Sequence, residues 1–257
     1  MDYRLWTTTI NSHKIPMKYT LEIAAFNLQS ALLAAKAGAD RIEICDNMFE
    51  GGTTPSYGTI KSLKAKLNIP VFAMVRARGG DFLYSADEFE AMEKDLELFK
   101  NIGCDGVVFG FLNADGTVDK DKTSRFVELA YPMEVTFHRA FDRANDPLKA
   151  LEEIIDCGCQ RILTSGQLPV ATEGINLLKQ LVELANDRII ILPGCGVLGN
   201  NIKTLAQQTG AVELHSSARI MQPSLMQYSN KLMQETLETV SVNVEEIIKM
   251  KQELNSI

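Results

Sequence analysis

Cys157-Gly158-Cys159-Gln160-Arg161-Ile162-Leu163-Thr164-Ser165-Gly166 reads as the end of a helix, a glycine and a β-rich run. A glycine there suits the left-handed position that closes a helix, and a strand starts within a few residues. The phrase recurs as Ala37-Gly38-Ala39-Asp40-Arg41-Ile42-Glu43-Ile44-Cys45, Ile102-Gly103-Cys104-Asp105-Gly106-Val107-Val108-Phe109-Gly110 and Thr209-Gly210-Ala211-Val212-Glu213-Leu214-His215-Ser216. Each is a helix-to-strand joint. Further strand candidates cover 19–24, 71–76, 134–138 and 188–192, so strands start near 21, 42, 71, 106, 134, 161, 189 and 212. That spacing holds one strand and one helix per repeat, and stretches such as 30–37 and 87–96 carry helical periodicity. Eight βα units specify an α/β fold of the TIM (β/α)8 barrel type, as a single domain. An open doubly wound sheet is the competing architecture, but no Gly-x-Gly-x-x-Gly follows the first strand.

Outward from this frame, residues 1–17 read as a loose N-terminal extension ending at a second methionine, Met17, an alternative start to Met1. Residues 18–220 read as the barrel domain, and 221–257 as a C-terminal helical extension packed on the barrel, with Val240, Val244, Ile247 and Ile248 on one face. The 257 residues are 46% hydrophobic and 23% charged, which excludes a disordered chain, and no apolar run is long enough to span a bilayer. A net charge of -7 argues against nucleic acid and anionic membranes as partners. Five cysteines without a secretory leader indicate a reducing, cytoplasmic setting.

Strand positions alternate between the helix layer and the lumen, and the C-terminal strand ends carry the chemistry of such barrels. Parity turns Glu22 and Ala24 inward on strand 1, Glu43 and Cys45 on strand 2, and Thr136 and His138 on strand 5. Leu163 and Ser165 face inward on strand 6, beside Thr164 and Gly166, and Glu213 and His215 do so on strand 8. Arg76, Arg78 and Arg139 follow their strands. So many ionisable groups in one place point to a ligand or catalytic site; the plainer alternative is a structural ion network of Glu22, Glu43 and Arg76. Two loops, Pro193-Gly194-Cys195-Gly196 and His215-Ser216-Ser217-Ala218-Arg219, can form an anion cradle of backbone N–H groups, although Gly194 and Gly196 also suit a simple tight turn.

Glu22 or Glu43, partnered by Arg76 or His138, can act as an acid/base pair, for instance removing a proton next to a carbonyl. Arg78, Arg139, Thr164, Ser165, Gly166, Gly194, Gly196, His215 and Ser217 are the substrate-binding candidates. No lysine sits at a strand end to form a Schiff base. His138 and His215 with a glutamate are an alternative divalent-metal set. Cys157-Gly158-Cys159 has a chelating spacing but lies at the opposite end of the barrel, where it and Cys104 read as packing.

Several runs resemble the CutC family, known as copper homeostasis proteins: Leu21-Glu22-Ile23, Gly38 to Cys45 as quoted above, Gly51-Gly52-Thr53-Thr54-Pro55-Ser56, Arg76-Ala77-Arg78-Gly79-Gly80-Asp81-Phe82, Tyr84-Ser85, Thr136-Phe137-His138-Arg139-Ala140-Phe141-Asp142, Leu163-Thr164-Ser165-Gly166 and Leu192-Pro193-Gly194-Cys195-Gly196. The resemblance covers about four fifths of the chain, from Tyr19 to about Arg219. It implies a cytoplasmic TIM barrel, a homo-oligomer with a dimer favoured, and a role in copper homeostasis through copper ion binding, with Cys45 as the metal ligand. Two positions depart from the pattern: Ala24 stands where some relatives carry a second cysteine, and Ala77 replaces a common proline. The residues taken by themselves support an enzyme for a small anionic metabolite, using Glu22, Glu43, Arg76 and His138.

Overall fold

A computed structural model describes residues 19–257. Eight parallel strands alternate with helices: β1 (Thr20–Ala25), α1 (Leu28–Lys36), β2 (Arg41–Ile44), α2 (Tyr57–Lys64), β3 (Val71–Met74), α3 (Ala86–Ile102), β4 (Gly106–Phe109), α4 (Lys120–Ala130), β5 (Glu134–Phe137), α5 (Pro147–Asp156), β6 (Arg161–Thr164), α6 (Ile175–Ala185), β7 (Ile190–Pro193), α7 (Ile202–Thr209) and β8 (Glu213–Ser216). The hydrogen-bonded ladder runs β7-β6-β5-β4-β3-β2-β1-β8, and β7 and β8 lie side by side to complete the ring. This is the TIM barrel the repeats specify. The four joint glycines, Gly38, Gly103, Gly158 and Gly210, all have positive φ, at 106°, 86°, 88° and 78°. An L side chain at those angles would strain each helix end.

Alternation sorts the strand residues into two environments. Leu21, Ile23, Ile42, Ile44, Val135 and Phe137 belong to the large apolar layer between sheet and helices. Cys45, Phe72, Met74 and Val108 form a separate apolar cluster inside the ring. Phe72 fills the lumen beside Gly106, where a Cβ would come 2.6 Å from its ring. The guanidinium carbons of Arg41 and Arg161 lie 4.7 Å and 5.4 Å from its centroid, so the aromatic face helps to offset two buried cations.

The segment read as helical from Met221 departs from that reading. Arg219–Gln222 (β9) and Thr239–Val242 (β10) form an antiparallel hairpin, and the helix α8 spans only Val244–Asn255. Thr239-Val240-Ser241-Val242 alternates with a period of two, so Val240 lies on a strand, where its carbonyl accepts a 2.8 Å hydrogen bond from Asn27. Ile247 is buried while Ile248 is exposed. α8 packs on α7 and α1 and is the eighth helix of the ring, with the hairpin inserted between it and β8. The extension read over 1–17 lies outside the described residues.

Candidate active site in the barrel mouth

The floor of the lumen is an ion network. Arg41 donates to Glu22 through Nε and to Glu213 through Nη2, the latter at 2.6 Å. Arg161 donates to Glu213 through Nε at 2.7 Å and also pairs with Glu134. Register places Glu22 between Arg41 on β2 and His215 on β8. Burial alone would raise Glu22, but the charges of Arg41 and His215 outweigh it, and its carboxyl is held down at about 2. The network therefore differs from the Glu22, Glu43 and Arg76 set, because Arg76 stands apart and Arg41 and Arg161 supply the cations.

Above the floor, His215 Nδ1 lies 2.7 Å from Glu22 Oε1, and its Nε2 lies 3.8 Å from Glu43 Oε2. Burial would depress His215, but Glu43 and Glu22 reverse that and raise it. Glu43 behaves oppositely to Glu22: burial, reinforced by the Glu22 charge, pushes its carboxyl up to about 7. Its Oε1 is buried and has no hydrogen-bond partner among the described residues. The two carboxylates are driven apart, Glu22 a fixed anion and Glu43 able to exchange a proton near neutrality, a separation that can serve acid–base chemistry.

His138 stands at the end of β5. Its Nδ1 accepts a 3.2 Å hydrogen bond from the Ala140 N–H, so the neutral ring carries its proton on Nε2, which is buried without a partner. Burial, with the Arg76 guanidinium adding to it, depresses His138 to about 3. It is therefore a neutral hydrogen-bond donor near pH 7 and not a base. Arg76 spends Nη1 on the Glu50 and Gly52 carbonyls, at 2.6 and 2.9 Å, and Nη2 on the Gly80 carbonyl at 2.9 Å. Its Nε is buried and has no partner among the described residues.

Glu43, Arg76, His138, Arg139, His215, Gly196 and Ser217 line a cavity of about 630 Å³ at the C-terminal mouth. Glu22 lies beneath it, fully buried. Cys45 lines it too, but burial and the neighbouring Glu43 carboxylate push its thiol well above the ordinary range. Gly194 sits behind the wall, where a Cβ would come 2.5 Å from Leu163. Among the described residues, the metal-ligating atoms that come together are those of Glu22, Glu43 and His215, without His138. Cys157 and Cys159 are buried away from this mouth.

Two groups of substrate candidates have other partners. Arg78 turns to Glu88 at 2.6 Å and to Asp81 at 2.9 Å, outside the cavity lining. Thr164 and Ser165 bind Asp142, which composition and spacing left unnoticed as a site residue, and the Gly166 N–H donates to the Thr164 hydroxyl at 2.9 Å. The Asp142 carboxylate accepts from the Thr164 hydroxyl, the Ser165 hydroxyl and the N–H groups of Ser165 and Gln167. Arg139 pairs with the same carboxylate at 2.7 Å while still facing the cavity. The loop after β6 thus cradles an internal anion.

A closed α/β barrel whose ionisable side chains converge at the C-terminal ends of its strands defines the TIM-barrel class. The chain belongs to the CutC family, whose profile matches residues 19–220. It is 51% identical to a family protein CutC of Chromobacterium violaceum, over 82% of this chain and 86% of that one. It is 45% identical to the human copper homeostasis protein cutC homolog, over 82% of this chain and 78% of that one. The crystal structure of a CutC protein from Streptococcus agalactiae superposes with a TM-score of 0.74 at 34% identity, covering 77% of this chain and 98% of that one. No helix among the described residues is long and apolar enough to cross a membrane.

Proposed function

We propose that the mouth of this barrel performs acid–base catalysis on a small anionic carbonyl compound in the cytoplasm. The observation that carries this reading is the pair of orphaned groups lining one cavity, Glu43 Oε1 and His138 Nε2–H. The Glu43 carboxylate takes a proton from the carbon next to the carbonyl, and the C–H electron pair becomes the new C=C bond. The carbonyl π pair moves onto oxygen, where His138 Nε2–H and Arg76 Nε–H donate to the developing charge. The Glu43 carboxyl then returns the proton to carbon. Glu22 holds His215 in place, and cations on the cavity wall attract an anionic substrate despite the net charge of -7.

A second reading rests on the name that the relatives carry and on one contact. Cys45 and Met74 lie together beneath Gly52, where a Cβ would meet Cys45 Sγ at 3.3 Å and Met74 Cε at 3.6 Å. A thiolate beside a thioether suits Cu(I). The raised thiol must first lose its proton, and Ala24 offers no second thiolate, so this reading is secondary.

The test is a thermal-shift screen of anionic carbonyl metabolites, followed by NMR of solvent deuterium entering the bound compound. The wild type should exchange the hydrogen on the carbon next to the carbonyl, and Glu43→Gln should bind the compound but exchange it at least about 100-fold more slowly. Binding without exchange in the wild type overturns the reading. Cu(I) retention against a competing chelator, lost in Cys45→Ser, would favour copper.

A further inference from the structure

The loops after β7 and β8 carry donors that the chemistry at Glu43 leaves unused. Among the described residues, the backbone N–H groups of Cys195, Gly196, Val197 and Ser217 have no acceptor. All four residues line the mouth cavity. Val197 is 1% exposed, so its N–H is cut off from bulk water. A buried backbone donor without a partner is rare in folded proteins and marks a place where an acceptor binds.

Two cations face the same corner: Arg219 from β9 and Lys249 from α8. Neither pairs with a carboxylate among the described residues, whereas Lys251, half a turn on, is paired with Asp40. Gly199 makes room for Lys249, since a Cβ there would sit 2.7 Å from the lysine Cγ. The lysine stem therefore lies across bare backbone of the β7 loop. Glu246, one turn earlier on α8, also lines the cavity, but its Oε1 accepts the Gly199 N–H at 2.6 Å and so braces that loop.

N–H groups from two loops, a free Ser217 hydroxyl and two point charges match an acceptor with several oxygens and more than one negative charge. A planar carboxylate offers only two oxygens on one side. We infer that this rim is a cradle for a phosphate monoester, held by Gly196, Val197 and Ser217 and neutralised by Arg219 and Lys249. The inference rests on the reading of the mouth as a catalytic site and names its substrate class, a phosphorylated carbonyl compound whose reactive end reaches Glu43 and His138.

The test uses the full chain and inorganic phosphate at constant ionic strength, with chloride as the control, followed by melting temperature and 31P line broadening. Phosphate should raise the melting temperature where chloride does not. The double variant Arg219→Met, Lys249→Met, altered only at exposed side chains, should bind phosphate at least tenfold more weakly while melting like the wild type in its absence. Glu43→Gln should bind phosphate as the wild type does, which separates the cradle from the reaction below it. No phosphate effect, or an effect undiminished in the double variant, overturns the cradle. Normal phosphate binding by a protein that exchanges deuterium into no phosphorylated carbonyl compound supports the cradle and overturns the reaction.

Discussion

His215 Nδ1 lies 2.7 Å from Glu22 Oε1, across the pairing of β8 with β1. That bond fixes the imidazole and turns its other nitrogen toward Glu43. Arg41 holds Glu22 from the opposite side. Burial, with the Glu22 charge adding to it, raises the proton affinity of Glu43, while the His215 charge opposes that rise.

A carboxyl whose folded-state proton affinity is raised keeps a proton that the unfolded chain releases. Its contribution to stability therefore falls as pH climbs from about 4.5 toward about 7, and is constant above that. Glu43→Gln removes this penalty. Between pH 5 and pH 8 the variant should gain on the wild type by on the order of 3 kcal/mol, read from urea unfolding at each pH. A stability gap that does not change with pH would show that Glu43 is an ordinary acid.

Arg41→Met should be among the most damaging single changes in the lumen. It removes the cation shared by two buried carboxylates, leaving Glu22 to His215 and Glu213 to Arg161, and should cost about 3–5 kcal/mol in denaturant unfolding. Arg78→Met breaks two solvent-screened ion pairs and two loop hydrogen bonds, to Gly79 and Leu83, and should cost less than Arg41→Met, about 1–2 kcal/mol, with ligand binding unchanged.

Asp142→Asn should loosen the loop after β6. The carboxylate gathers the Thr164 and Ser165 hydroxyls, two N–H groups and Arg139, and weakening these bonds should cost about 2–4 kcal/mol. Hydrogen exchange at the Ser165 and Gln167 amides should accelerate selectively. Unchanged protection there would mean that the loop holds itself.

Gly110→Ala places a Cβ 2.6 Å from His138 Nδ1 and 2.9 Å from the Ala140 Cβ. The imidazole must shift, so deuterium exchange into ligand should drop steeply while the fold loses only about 1–3 kcal/mol. Full activity in a well-folded Gly110→Ala protein would remove His138 from the mechanism.

The barrel was legible because its two strand faces differ in polarity, and alternation then places Glu22, Glu43, His138 and His215 in the lumen. Arg41 and Arg161 share parity with Glu43 and Leu163, so the same signal is present, but they open their strands at the end of the barrel opposite the mouth. Arg78 shares parity with Arg76, yet β3 ends at Met74, and beyond a strand end alternation carries no direction. Asp142 sits in a short 3-10 turn without periodicity, and only packing shows what gathers around it. The hairpin was hidden because four alternating residues, Thr239 to Val242, follow a long stretch of mixed polarity without periodicity and precede an amphipathic helix.

The last helix has a consequence for how the molecule is made. Lys251 on α8 pairs with Asp40, a residue 211 positions earlier that also accepts the Leu21 N–H at 2.8 Å. Contacts of such sequence separation form late, and a chain emerges from the ribosome N-terminus first. All eight strands are therefore synthesised before the helix that covers α1 and α7 exists. The nascent barrel is open along one side until translation has passed Lys251, so that wall is sealed only after every strand of the ring has been made.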